Sequence, residues 1–174
     1  MGAMPVRPSI EQVWNWLGQI PDPEIPVISV VDLGIVRGVR WEERVGREEL
    51  VVTVTPTYSG CPAVSAIMRA IENELSAKGV TEFRLERRLS PAWTTEWISA
   101  AGRRQLQEYG IAPPVRFAEA ATPPGRRGRR AVAVECPRCG STETTRVSEF
   151  GSTPCKAQYR CEECLEPFDY FKCI

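Results

Sequence analysis

Apolar side chains recur at helical spacing in three stretches of the chain and run in β-like patterns in three others. In S-I-E-Q-V-W-N-W-L-G-Q (residues 9–19), Ile10, Val13, Trp14 and Leu17 share one face. Ser9 stands where an N-cap belongs and Gly18 where the helix should end. Val64, Ile67, Met68, Ile71 and Leu75 mark a second helix that stops before Gly79. Thr94 or Thr95 should open a third, running through Tyr109, with Trp97, Ile98, Ala101 and Leu106 available for packing. Between these lie G-I-V-R-G-V-R-W (34–41), which alternates, and L-V-V-T-V-T (50–55), which is apolar and β-branched. A charged turn containing Gly46 joins them, and Val80 to Leu89 alternates again. The order α-β-β-α-β-α predicts a small two-layer α/β (α+β) domain over residues 1–111.

Proline divides the rest. Pro21, Pro23 and Pro26 keep I-P-D-P-E-I-P (20–26) out of regular structure, so Asp22 and Glu24 sit on a stiff loop. Residues 56–62 (P-T-Y-S-G-C-P) form another loop, ahead of the second helix. Residues 112–130, rich in proline, glycine and arginine without a sustained apolar period, read as a linker. The arginine cluster at 126–130 reads as part of that solvated tether, with contact to phosphate or an acidic partner as the alternative.

Beyond the linker, residues 131–174 carry C-P-R-C-G (136–140) and C-E-E-C-L (161–165). A two-residue spacer lets both thiolates of a pair reach one ion, and two such pairs close a tetrahedral site. Cys136, Cys139, Cys161 and Cys164 are therefore expected to hold one structural metal in a β-hairpin ribbon, with residues 143–148 and 156–160 as its strands. Gly140 follows the second cysteine, where a tight knuckle favours positive φ. Zinc is the expected ion; rubredoxin-like iron, which takes the same four sulfurs, is the rival. Cys155 and Cys173 are left over and read by default as buried apolar side chains, with a spare ligand pair or a redox pair as the alternatives.

Composition narrows the chemistry. The 174 residues include 22 basic and 22 acidic side chains, so no global charge draws the chain to nucleic acid or anionic membrane. No apolar run approaches the roughly 20 residues a membrane helix needs. The N-terminal residues lack an apolar signal core, which predicts a cytoplasmic protein. Histidine is absent, which removes serine–histidine and cysteine–histidine catalysis and the histidine ligands of a di-iron oxygenase site. Seven cysteines without an export signal point to metal binding or reactive thiols rather than disulfides. Cys61 stands apart from the others: Pro62 suits a first helical position, which would place Cys61 at or near an N-cap where amide hydrogens favour its thiolate. Gly60 beside it permits close approach by a ligand, while a small buried side chain is the other reading of a free cysteine at this position.

D-P-E-I-P (22–26), D-L-G-I-V (32–36) and T-x-x-x-C-P (57–62) resemble, in order and spacing, the small iron–sulfur maturation domain typified by SufT and by eukaryotic cytosolic iron–sulfur targeting factors. S-P-A-W-T (90–94) and Y-G-I-A-P-P (109–114) extend the match. The tail from Val147 to Ile174 is similar to the C-terminus of the PaaD family, accessory proteins of aerobic phenylacetate degradation. The resemblance implies a non-catalytic accessory beside the phenylacetyl-CoA oxygenase (epoxidase), whose partners are the oxygenase subunits or reductase and the iron–sulfur assembly proteins. It implies a role in assembling or maintaining iron–sulfur or di-iron centres, with a transient iron–sulfur cluster as a second cofactor beside zinc. Carried over by motif position, Cys61 is the functional thiol, and Asp22, Glu24, Asp32 and Thr57 line its pocket. A cluster bridged by two Cys61 thiolates would require a homodimer. The competing function is a zinc-ribbon adaptor for protein or nucleic acid without metal delivery; Glu149, Glu162, Glu163, Glu166 and Asp169 on the ribbon weigh against nucleic acid.

Overall fold

Ser9 caps α1 (Ile10–Leu17) through a reciprocal box: the Gln12 amide donates to Ser9 Oγ at 3.1 Å, and the Ser9 amide donates to Gln12 Oε1 at 2.9 Å. Val13 and Leu17 on its apolar face are fully buried. This helix belongs to a computed structural model that describes residues 7–115 and 133–172, in which the chain divides into two compact units, Met1–Ser99 and Ala100–Ile174. No helix among the described residues is long and apolar enough to cross a membrane.

In the first unit β1 (Val36–Arg44) and β2 (Arg47–Val54) form an antiparallel hairpin, α2 (Val64–Ala77) crosses over, and β3 (Phe83–Arg87) pairs with β2 in parallel. Period-two alternation sends Leu50, Val52 and Val54 to one face of the central strand, where they are buried like Ile67, Ile71 and Leu75 of α2. Two-layer packing was the expectation from the pattern, and the mixed sheet with helices bears out the α/β reading. The opposite face is laced with charge. Arg40 donates to Glu42, Thr53 and Glu86 at 2.6, 3.0 and 2.9 Å, and Arg84 reaches Glu42 and Glu49 at 2.9 and 3.2 Å.

The third helix departs from its expected start. Thr95–Trp97 form a single 3-10 turn, Ile98 is extended with ψ 126°, and α3 begins only at Ala100, running to Tyr109. Tertiary contacts break the helix here: the buried Trp93 donates Nε1–H to Leu33 O, Ile98 is buried, and Ser99 bonds Asp32 through both its amide and its hydroxyl. The backbone of Trp97 also closes on Gly34.

In the second unit β4 (Ile111–Ala112), β5 (Thr144–Ser148), β6 (Lys156–Cys161) and β7 (Pro167–Phe171) form a sheet in the order β4-β7-β6-β5. The β5–β6–β7 ribbon is antiparallel, while Ile111 and Ala112 pair in parallel with Asp169 and Tyr170. The two compact units divide after Ser99, and Ile111 and Ala112 are strand residues of the second. A two-residue strand has too short a pattern to be read without its partner. The ribbon core consists of Ala112, Val134, Cys136, Ala157, Cys161, Phe168 and Tyr170, with Tyr159 packed on Phe168 and Tyr170. The arginine cluster at 126–130 and Cys173 lie outside the described residues.

Candidate functional site

Two knuckles of matching geometry carry the ribbon cysteines. In the first, the Cys136 amide donates to Ser141 O at 2.8 Å; in the second, the Cys161 amide donates to Glu166 O at 3.0 Å. The residue after each second cysteine is left-handed, Gly140 at φ 75° and Leu165 at φ 63°. Glycine suits that position; leucine occupies it at a steric cost of about 1 kcal/mol. The four sulfurs lie within 4.8 Å of one another, with Cys136–Cys164 and Cys139–Cys161 separations of 3.7 and 3.5 Å. A metal–sulfur bond of about 2.3 Å in a tetrahedron requires sulfurs about 3.8 Å apart, so the donor set fits one tetrahedral ion.

Electrostatics point the same way. Amide hydrogens of Cys164 and Glu163, against the opposing effect of burial, pull Cys161 down to about 7. The Ser141 amide favours the Cys139 thiolate too, but the surrounding sulfurs and burial outweigh it and push Cys139 up to about 12. Four thiolates this close repel, and a divalent cation at their centre removes the penalty. Cys155, buried and 3.0 Å from Thr153 Oγ1, is not among the four clustered sulfurs.

A second constellation forms in the first unit. Asp22 is buried, and its Oδ1 accepts from the Glu24 and Ile25 amides at 2.9 Å each, which folds the proline-rich loop into a tight turn. That turn carries both acids to Cys61, where Asp22 and Glu24 act on the thiol by charge. Thr57, also buried, donates its hydroxyl to the sulfur, and so does the Ala63 amide. Arg87 Nη2 donates to Ser59 O at 2.8 Å, pinning the loop that precedes the cysteine.

Two expectations change here. The α2 N-cap is Ala63, not Cys61, since Pro62 and Ala63 form a turn ahead of Val64. Amide donation survives the displacement, but the thiol is pushed up rather than down: burial dominates, and Glu24 and Asp22 add to it, against the Ala63 and Thr57 hydrogen bonds. Asp32 is held by two serines. Its carboxylate accepts from Ser29 Oγ at 2.9 Å and Ser99 Oγ at 2.6 Å, and its carbonyl from the Ser99 amide at 2.8 Å, so it ties D-L-G-I-V to the segment before α3. Ser29, Ser99 and Arg87 were not singled out in the sequence, because no local pattern announces contacts up to 67 residues apart.

Residues 10–82 match the model of a family described as iron–sulfur cluster assembly proteins, and residues 120–172 match that of the PaaD zinc beta ribbon domain. Over 168 residues the chain is 49% identical to a protein of Escherichia coli (strain K12) provisionally named as a component of 1,2-phenylacetyl-CoA epoxidase, covering 96% of this chain and 94% of that one. The chain belongs to the PaaD family. Among solved structures, a DUF59 domain of unknown function from Bacillus anthracis is 28% identical with a TM-score of 0.49, covering 55% of this chain and 89% of its own. A conserved hypothetical protein of Thermotoga maritima is 27% identical with a TM-score of 0.48, covering 57% and 95%.

In this PaaD-family chain the charge around Cys61 has a direct consequence. The rate of alkylation by a neutral reagent should rise with pH about a midpoint above the ordinary thiol value of 9.0. Glu24→Gln removes a negative charge near the sulfur and should move that midpoint down. A midpoint below 9.0 in the unaltered protein would mean that the hydrogen-bond donors outweigh burial, and no movement in the variant that Glu24 does not act on the thiol.

Proposed function

We propose that this PaaD-family protein is a non-catalytic accessory of the phenylacetyl-CoA epoxidase system in phenylacetate catabolism, which assists the assembly or maintenance of iron–sulfur or di-iron centres in its partners. The observation that carries the reading is the soft sulfur of Cys61 within the electrostatic reach of two carboxylates. Burial holds the proton on the thiol and the two charges add to that hold; the same charges would attract an iron cation, and the cation would displace the proton. Iron or an iron–sulfur unit is therefore the cargo. Cys61 is its ligand, Asp22 and Glu24 supply charge, Thr57 orients the sulfur, and Asp32 positions the loop. The likeness of residues 10–82 to iron–sulfur cluster assembly proteins supports the same role.

The ribbon holds zinc in this reading. A site closed by four thiolates offers no open coordination position for oxygen chemistry, so the oxygenation itself belongs to the partner subunits. Cells whose only copy carries Cys61→Ser should lose growth on phenylacetate while still making the oxygenase subunits, and those subunits should purify deficient in iron. Fully loaded and active oxygenase from such cells would refute the maturation role.

A further inference from the structure

Beyond the cysteine sites, the charged face of the first sheet contains a cleft of about 250 Å3 lined by Arg37, Gly38, Thr53, Thr55, Ser90 and Trp97, with Arg40 and Arg88 at its wall. No acidic side chain is part of that lining. Arg37 is the extra residue of a β-bulge, since Val36 pairs with Val54 and Gly38 already with Thr53. A bulge re-aims the side chain it inserts. Here the guanidinium is laid over the Trp97 ring, 3.7 Å from its centroid. The ring is itself fixed, because its backbone closes on Gly34 and its amide donates to Thr94 O at 3.0 Å.

The neighbouring cations are spoken for. Arg40 is paired with Glu42 and Glu86, and Arg88 with Glu86. Arg37 has no carboxylate within ion-pair distance among the described residues, although it faces the same cleft. The Thr53 hydroxyl is engaged by Arg40 and Glu86, but a stacked, pre-oriented guanidinium beside the hydroxyl residues Thr55 and Ser90 offers more hydrogen-bond donors than the two oxygens of a carboxylate use.

We propose that this cleft binds a phosphate group, with Arg37 as its principal ligand. The proposal is independent of any role of Cys61.

The test is a titration of the full-length zinc-loaded protein, isotope-labelled for amide NMR, at constant ionic strength. Inorganic phosphate and glycerol 3-phosphate are the probes, with acetate as the carboxylate control. Saturable shifts are expected at the Gly38, Thr55 and Ser90 amides for the phosphates, with acetate much weaker. Tighter binding of inorganic phosphate would assign the free ion as ligand, tighter binding of the ester a phosphomonoester, and equal binding would mean that the phosphate group alone is read. Arg37→Ala should bind at least about tenfold more weakly. Gly38→Ala keeps Arg37 but adds a methyl to the cleft, and should also weaken binding; a Cβ there meets nothing nearer than Thr53 Oγ1 at 3.7 Å, an ordinary contact, so the fold accommodates it. Arg7→Ala, in a different cleft of the same unit, should leave binding unchanged. Absence of saturable shifts, acetate binding as tightly as phosphate, or undiminished binding by Arg37→Ala would each overturn the assignment.

Discussion

Replacing Cys161 by alanine should cost the protein its metal and unfold the ribbon, while the first unit keeps its native signal. Cys161 is fully buried at the centre of a core whose other members are few: Ala112, Val134, Cys136, Ala157, Phe168 and Tyr170. Structural zinc contributes on the order of 10–16 kcal/mol to small modules of this kind, far more than so small an apolar cluster supplies. Two readouts separate the units. All five tryptophans, Trp14, Trp16, Trp41, Trp93 and Trp97, precede Ala100, so their fluorescence reports the first unit alone. Amide dispersion of residues 133–172 reports the ribbon. The unaltered protein, purified without added metal, should carry one zinc per chain, and a strong chelator should reproduce the effect of the substitution. Stoichiometric iron with a red colour would sink the zinc assignment. A dispersed ribbon spectrum without any metal would sink the structural role of the site.

Gly34→Ala should lower the stability of the first unit by about 3 kcal/mol, from left-handed backbone cost and steric clash together. Gly34 sits at φ 74°, and a Cβ there would lie 2.6 Å from Trp97 O and 2.7 Å from Trp97 Cβ. The obstructing atoms are mostly backbone and cannot swing aside. Gly46 provides the control. It has nearly the same φ, 73°, but nothing within 4 Å of the added Cβ, so Gly46→Ala should show only the backbone cost, about 1 kcal/mol. Urea unfolding followed by tryptophan fluorescence measures both, since the midpoint should fall at constant slope. Equal losses at the two positions would mean that Trp97 does not close on Gly34. That contact also underlies the seat of Arg37, so phosphate binding should weaken in Gly34→Ala and not in Gly46→Ala.

The helices α1 and α2 were legible because each buries one face, and a buried face writes its period into consecutive residues; β2 was legible because it is buried on both faces and reads as an unbroken apolar, β-branched run. The four ribbon cysteines were legible for a related reason: two atoms that must reach one ion from a single tight turn can be separated by only a few residues. Ser9 with Gln12, and Gly140 after Cys139, belong to the same class of local geometry.

What only the tertiary structure decided is where contacts span long stretches of chain. Asp22, Glu24, Asp32 and Thr57 all read alike as loop residues, yet the fold brings Asp22, Glu24 and Thr57 to bear on Cys61 and gives Asp32 to Ser29 and Ser99. Position before a helix suggested an ionised Cys61, because amide donors are a local feature. Burial and the charges of a distant loop oppose them, and neither is written in the residues beside Cys61. The start of α3 at Ala100, rather than at Thr94, follows equally from Leu33, Gly34 and Asp32 reaching across to Trp93, Trp97 and Ser99. Local sequence specifies which conformations are cheap, and the long-range pairings, whose loop-closure cost only the whole fold can repay, select among them.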